Sequence, residues 1–194
     1  FTNKAASEMR NRVRELVGAD ADRVLVSTFH SACVRFLRTD IESIGYKRNF
    51  TIYDTDDTSR LLRNLAKEAN IDVKAWPISK MRSAVDQAKV KMQSAAEFAE
   101  SRRTQIGDPM ARIYKAYEEH LKISNAVDFN DLLNLTVRMF EAHPEVLARY
   151  QDKFRYVMVD EYQDTNLAQY KLIKLLAGGH RNLAVVGDDD QSIY

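Results

Sequence analysis

Two clusters of acidic residues, each directly after a short apolar segment, are the first candidates for chemistry. Asp160 and Glu161 follow the apolar residues 157–159, and a run of aspartates with Gln191 follows the apolar residues 183–187. Ligands of parallel α/β sheets bind outside the carboxyl ends of the strands. Two such strand ends indicate one shared site that handles phosphates and a metal ion. The simpler interpretation is that the acids only end strands and cap the helices that follow.

The composition is that of an ordinary globular chain with a preference for helix. Of the 194 residues, 45% are hydrophobic and 29% are charged, and there are only six glycines and three prolines. The net charge of +1 means that any nucleic-acid surface must be local. Cys33 is the only cysteine, which excludes an internal disulfide, favours a cytoplasmic location and leaves Cys33 as a core residue. No apolar segment approaches the roughly 18 residues of a membrane span, so no membrane partner is expected.

Helical spacing and turn residues predict the elements that position these acids. Strands are predicted at 24–26, 156–159 and 183–186. Helices are predicted to end near Val17 and Ile44, to start near Asp54, Pro77, Pro109, Asp128 and Pro144, and to cover 167–177. The order strand-helix, helical segment, strand-helix-strand predicts an α/β fold, in which a parallel sheet flanked by helices is interrupted by an inserted all-α subdomain.

The middle of the chain differs from its two ends because it has helical periodicity and no convincing central strand. We therefore predict a main α/β domain formed by 1–49 and 126–194, and a helical insertion formed by 50–125. Several cations of the insertion could line a polyanion, although a solvated helix surface explains each of them equally well; they are Lys80, Arg82, Lys89, Lys91, Arg102 and Arg103.

Five motifs occur in order and together resemble a known family. They are Phe1-Thr2-Asn3-Lys4-Ala5-Ala6, Thr28-Phe29-His30-Ser31, Val127-Asp128-Phe129-Asn130-Asp131-Leu132-Leu133, Val159-Asp160-Glu161-Tyr162-Gln163-Asp164-Thr165-Asn166 and Val186-Gly187-Asp188-Asp189-Asp190-Gln191-Ser192-Ile193-Tyr194. The set resembles the superfamily 1 DNA helicases of the UvrD, Rep and PcrA group. The resemblance spans essentially the whole chain, with the fewest motif residues in the helical insertion.

The resemblance implies an incomplete RecA-like, P-loop NTPase sheet that works with ATP and Mg²⁺. Asp160 matches the aspartate that helps to hold Mg²⁺, and Glu161 matches the glutamate that activates the attacking water. Gln191 matches the glutamine that contacts the γ-phosphate, and Asp188 lies in the same nucleotide-binding motif. These roles agree with the oxygen preference of Mg²⁺ and with the positioning that phosphoryl transfer requires.

The resemblance also implies a partner, which is single-stranded DNA and the junction between single-stranded and double-stranded DNA. It suggests 3′→5′ translocation. The positions that match DNA-contacting motifs are Phe1, Thr2, Asn3, Thr28, Phe29, His30 and Tyr194. Aromatic rings stack on any base, so such a site contacts the strand without selecting a sequence. Outside the motif context, Phe29 and Tyr194 would be assigned to core packing, and His30 to helix capping.

One departure from the family pattern limits what the chain is expected to do. The sequence contains no Gly-Lys-Ser/Thr string, which a P-loop needs to cradle phosphates. We therefore expect a piece of a longer helicase that does not hydrolyse ATP appreciably by itself. Loss of the strand before such a loop would expose sheet edges and apolar surface, so we expect destabilisation or self-association.

Two alternatives stay open from the sequence. The chain could be a non-catalytic DNA-binding module that has kept the fold, or the motor portion of a helicase-nuclease. The pathway also stays open between repair, replication restart and plasmid maintenance. Asp160, Glu161 and Gln191 favour the motor, because a binding module would not need all three.

Overall fold

A computed structural model describes residues 2–102 and 108–188. The predictions on Phe1, Arg103, Gln191, Tyr194 and the aspartates at 189–190 lie outside the described residues. The helices are α1 (Asn3–Val17), α2 (Phe29–Asp40), α3 (Thr55–Glu68), α4 (Ile78–Val90), α5 (Ala95–Ser101), α6 (Met110–Ile123), α7 (Phe129–Ala142), α8 (Pro144–Lys153) and α9 (Leu167–Ala177). The strands are β1 (Thr51–Ile52), β2 (Ala126–Val127), β3 (Val157–Val159) and β4 (Leu183–Val185). Within the described ranges, no helix is long and apolar enough to cross a membrane.

The described strands form two separate parallel pairs, not one larger sheet. β1 pairs with β2, and β3 pairs with β4 with Val157 opposite Leu183. The predicted strand at 24–26 is not present, because no described strand pairs with this segment and the Val26 carbonyl accepts a hydrogen bond from Arg10 instead. The chain is therefore mostly helical with small parallel sheets, which is compatible with an incomplete α/β fold.

Local capping residues explain where the helices begin. Asp54 and Asn166 accept backbone N–H bonds at the starts of α3 and α9, each within a reciprocal capping box. The predicted helices are all present, although the last turn of the second continues as a 3₁₀ helix, Ile41–Ile44. The sequence prediction missed α5, whose start is marked by a capping box between Ser94 and Glu97. That Ser-x-x-Glu spacing was a readable signal.

Two hydrophobic clusters divide the chain much as the composition does. The first is built on α2, α7, α8 and α9 and contains the fully buried Cys33 and Leu37. The second is built on α3 to α6 and contains the fully buried Leu62 and Met81. Helix α4 packs against α7, so the two clusters meet there. The boundaries of the helical insertion at 50–125 stay a prediction, since Phe50 belongs to the first cluster and Ala126 to the second.

One cation of the insertion is in the interior. Lys89 was predicted to be either a surface cation or part of a polyanion site, but the residue is only 1% exposed. Both interpretations are wrong for Lys89, because three carboxylates surround its ammonium group. Lys80 and Lys91 are exposed, as either interpretation requires.

Candidate functional site

The first acidic pair lies where β3 ends. Val159 is buried, Asp160 is exposed, and Glu161 adopts a left-handed backbone conformation with φ 52° and ψ 45°. The Glu161 N–H donates to Asp160 Oδ1 at 3.0 Å. A left-handed conformation is unfavourable for a residue with a side chain, by about 1–2 kcal/mol. The main chain holds it in place, since Tyr162 N–H donates to the Val186 carbonyl at 2.9 Å.

The ends of β3 and β4 are joined by one amide side chain. Gln163 Nε2 donates to Glu161 Oε2 at 2.5 Å, and the Asp188 N–H donates to Gln163 Oε1 at 3.1 Å. A Cβ on Gly187 would lie 2.7 Å from Gln163 Oε1, so the absence of a side chain there lets the amide approach. The structure therefore brings Asp160, Glu161 and Asp188 to one edge, as the sequence predicted. Sequence reasoning missed Gln163, although it belongs to the same motif.

The donor set at this edge suits a magnesium ion that keeps most of its water. Among the residues of 2–102 and 108–188, no group of three or more His, Cys, Asp or Glu side chains could hold a metal ion. Mg²⁺ is commonly bound through one or two carboxylates together with substrate phosphates and water. Asp160 is exposed and can supply one such carboxylate, so the residues present fit Mg²⁺ bound with a nucleotide.

A second group of predicted residues gathers at two helix starts. Thr2 caps α1 and Thr28 caps α2. Asn3 Oδ1 accepts a hydrogen bond from Ser31 Oγ at 3.1 Å, and Thr28 Oγ1 lies 3.5 Å from the same oxygen. The two motifs are thus adjacent in space although they are far apart in the sequence. Helix N-termini present unpaired N–H groups and partial positive charge, which favours contact with phosphates.

A stacked ring pair adjoins this polar group. The His30 and Phe129 rings stack with centroids 3.8 Å apart and planes inclined by 20°. Phe129 is 58% exposed, whereas Phe29 is half-buried against the core. Burial lowers the pKa of His30, which favours the neutral imidazole. Sequence reasoning did not select Phe129 as a site residue, although an aromatic side chain directly after the cap Asp128 was a visible signal.

A buried charge cluster supports α7 immediately beneath Phe129. Lys89 Nζ lies 2.7 Å from Asp128 Oδ2, Asp131 Oδ1 and Glu118 Oε1, and it donates a hydrogen bond to Asp131. The Tyr117 hydroxyl donates to Asp128 Oδ2 at 3.0 Å. Asp128 and Asp131 also form the capping box that starts α7.

The ionisation of the cluster follows from burial and from the excess of acids over bases. Burial, with Asp128 and Glu118 close by, raises the pKa of Asp131 to about 7 even though Lys89 opposes the shift. Burial alone would lower the pKa of Lys89, but the neighbouring carboxylates and Tyr117 outweigh it and raise that pKa. The ammonium group therefore stays charged at every physiological pH.

Comparison with known proteins agrees with the motif order. A family model described as the UvrD/REP helicase N-terminal domain matches residues 1–194. The chain is also similar to proteins named ATP-dependent DNA helicase PcrA. It is 46% identical over 194 residues to PcrA of Staphylococcus aureus and equally to PcrA of Staphylococcus epidermidis. Each alignment covers 100% of this chain and 27% of the relative, so the chain spans about a quarter of the length of these curated relatives.

Proposed function

The chain belongs to the UvrD/REP helicase N-terminal domain family, and on that basis we propose that it is the first motor segment of an ATP-dependent DNA helicase that translocates 3′→5′ along single-stranded DNA. In this proposal, residues 1–49 and 126–194 form an incomplete RecA-like domain and residues 50–125 form its helical insertion. The protein acts in the cytoplasm, where Cys33 stays reduced.

The parallel pairing of β3 with β4 is the observation that carries the proposal. It places Asp160, Glu161 and Asp188 at neighbouring strand ends, with Gln163 between them. Ligands of parallel α/β sheets bind at such an edge. Bound Mg²⁺ neutralises charge on the nucleotide phosphates, and Asp160 is the residue that would hold it.

Each acid then has a separate role. The Glu161 carboxylate accepts a proton from the water that attacks the γ-phosphate, a general-base task. The hydrogen bond from Gln163 holds Glu161 Oε2 in place for that task. Asp188 adjoins the phosphates, and Gln191, which lies outside the described residues, is proposed to contact the γ-phosphate.

The DNA-contacting surface is proposed to combine the two helix starts with the stacked rings. Thr2, Asn3 and Thr28 provide hydroxyl, amide and N–H groups for phosphates. His30 and the open face of Phe129 provide rings on which a base can stack. Phe1, Phe29 and Tyr194 remain proposed members of the same surface.

The 194-residue chain itself is proposed to lack appreciable ATPase activity, because its sequence has no Gly-Lys-Ser/Thr loop. It is also proposed to self-associate. Tyr156 and Met158 are 83% and 78% exposed, so one face of the short β3–β4 sheet presents apolar side chains to solvent. Apolar surface of this kind favours association.

Hydrolysis of ATP tests the motor assignment. A longer protein that contains residues 1–194 should show DNA-stimulated ATPase activity, and Glu161→Gln should lower kcat by roughly 10²–10⁴-fold, the usual contribution of a general base. Glu145→Gln is a matched control at an exposed position of α8 and should leave kcat unchanged. DNA binding without ATPase activity in the longer protein would replace the motor with a non-catalytic DNA-binding module.

Binding to single-stranded DNA tests the surface in the 194-residue chain. Fluorescence anisotropy with labelled oligo(dT) should show affinity that falls as salt rises, with a negative slope of log K against log [NaCl]. Phe129→Ala should weaken binding by about 5–150-fold, the equivalent of one stacked base at about 1–3 kcal/mol. Binding that does not depend on salt or on Phe129 would exclude this surface.

A further inference from the structure

Lys89 links the helical insertion to the ring pair of the proposed DNA surface through a continuous set of contacts. It lies on α4 and is 1% exposed. Its ammonium group touches Asp128 and Asp131, the two members of the capping box that starts α7. Phe129, the first residue of α7, stacks on His30. Every step in this path is a contact of less than 4 Å.

We propose that Lys89 is a positioning residue: by holding the Asp128–Asp131 cap of α7, it fixes the place where Phe129 stacks on His30 and presents an open ring to DNA. The inference rests on the proposed DNA-contacting role of that surface. It adds a function to the insertion, which would set the geometry of a binding surface built on the starts of α1, α2 and α7.

The geometry of the cap makes Phe129 sensitive to Lys89. Asp128 Oδ1 accepts from the Asp131 N–H at 2.9 Å, and Asp131 Oδ2 accepts from the Asp128 N–H at 3.1 Å. Each carboxylate thus uses one oxygen for the cap and the other for Lys89. Without the ammonium group, Asp128 and Asp131 lose the group that bridges them. The two buried oxygens that faced Lys89 then have no cation partner, whether Asp131 binds a proton or stays charged, so the first turn of α7 would shift.

Further hydrogen bonds join α4 and α7 on either side of the Lys89 ammonium group. Asn134 Nδ2 donates to the Lys89 carbonyl at 2.8 Å, and Asn130 Nδ2 donates to Asp86 Oδ1 at 3.2 Å. These bonds hold the two helices together without Lys89 Nζ. Removal of the ammonium group should therefore disturb the helix start more than the packing of the two helices.

The first test observes the rings in the free protein by NMR. In Lys89→Met, the His30 signals should lose the ring-current shift from Phe129, and the pKa of His30 should rise toward its ordinary 6.5. His180 is an internal control, because its ring nitrogens contact the Phe154 carbonyl and the Asn182 N–H, neither of which belongs to the His30–Phe129 stack. Unchanged His30 signals in folded Lys89→Met would overturn the proposal.

The second test is a double-mutant cycle on the affinity for labelled oligo(dT). Lys89→Met should weaken binding by about tenfold, within the range of one lost stacking contact. If Lys89 acts through Phe129, the double variant should bind no more weakly than Phe129→Ala alone. Additive losses would overturn the proposal. Lys115→Met is the matched control, since it removes one positive charge from an exposed ion pair and should leave affinity nearly unchanged.

A second variant keeps both tests decisive if Lys89→Met does not fold. Lys89→Met combined with Asp131→Asn and Glu118→Gln removes the ammonium group and two of the three carboxylates that face it. This variant should fold, because little uncompensated charge remains, and it should still lose the His30 ring-current shift, because no ammonium group bridges Asp128 and residue 131. The control with Asp131→Asn and Glu118→Gln that keeps Lys89 should retain the shift. Loss of the shift in that control, or its retention in the variant without Lys89, would overturn the proposal. Different results would refute the proposed DNA surface and the proposed role of Lys89. Phe129→Ala with wild-type affinity would refute the proposed DNA surface, whereas unchanged His30 signals would refute positioning by Lys89.

Discussion

Two aspartates in this chain directly follow a short parallel strand, and their surroundings give them different roles. Asp128 follows β2, is 4% exposed, caps α7 and contacts Lys89. Asp160 follows β3, is exposed and accepts a hydrogen bond from the next backbone N–H. The Asp128 carboxylate is paired inside the protein, whereas the exposed Asp160 carboxylate is open to a cation from solvent. An acid at the end of a strand is therefore not by itself a binding site, because its burial and its partners determine whether a ligand can reach it.

The largest expected difference between the two regions is in stability. Lys89→Met should lower the free energy of unfolding by about 3–5 kcal/mol, because it leaves buried carboxylates without their cation. Asp160→Asn should change it by less than about 0.5 kcal/mol, as is usual for an exposed position. Urea denaturation followed by circular dichroism measures both. Equal effects would remove the distinction between a buried cluster and an open site.

Asp128 has two roles, since it caps α7 and carries a charge that pairs with Lys89, and two substitutions separate them. Asparagine caps helices as well as aspartate does, whereas alanine does not. Asp128→Ala should therefore lower the free energy of unfolding by about 1–2 kcal/mol more than Asp128→Asn. If both variants lose the same stability, charge at Asp128 matters and the cap does not. The same denaturation experiment distinguishes these outcomes.

The buried cluster should also make stability depend on pH, with a sign set by Asp131. Its pKa is raised from 3.8 in the unfolded chain to about 7 in the folded chain. Between these values the folded state binds more protons, so the free energy of unfolding falls as pH rises from about 4 to about 7. Each pKa unit corresponds to about 1.4 kcal/mol, so the slope is measurable.

Asp131→Asn isolates that slope from other titrating groups. His30 has a lowered pKa and gives the opposite slope below its ordinary 6.5, while Asp86 has a raised pKa and gives the same sign as Asp131. Both contributions cancel in the difference between wild type and Asp131→Asn. That difference, measured by denaturation at pH 5 and pH 8, should favour the wild type at the lower pH. A difference that is independent of pH would show that Asp131 is ionised throughout.

Local signals in the sequence predicted much of this structure. Proline and capping residues fixed the helix starts at Asp54, Pro109 and Asp128, and apolar triplets fixed β3 and β4. The segment 24–26 was predicted as a strand and is not one, because a strand needs a hydrogen-bonding neighbour and local sequence cannot show whether one is present.

The long-range features could not be read in the same way. The motif order predicted the acids at the ends of β3 and β4. The spacing of α4 places Lys89 on the same face as Met81 and Val85. Its carboxylate partners were not predictable, since they lie on α6 and at the start of α7. The stack of Phe129 on His30 likewise joins two distant helix starts. Such pairings depend on tertiary packing, and the spacing of apolar residues along one helix does not show which other element it packs against.

The smallest expected effect concerns the backbone of Glu161, whose left-handed conformation has no counterpart at Asp128. Glycine adopts positive φ without strain, so Glu161→Gly should be more stable than Glu161→Ala by about 0.5–1 kcal/mol. Both variants lose the hydrogen bond from Gln163, so that loss cancels between them. Equal stability would mean that the backbone conformation is not strained. If Glu161→Gly is more stable than Glu161→Ala, the backbone at position 161 is strained for any residue with a side chain. Such strain is expected where the position of a carboxylate serves catalysis.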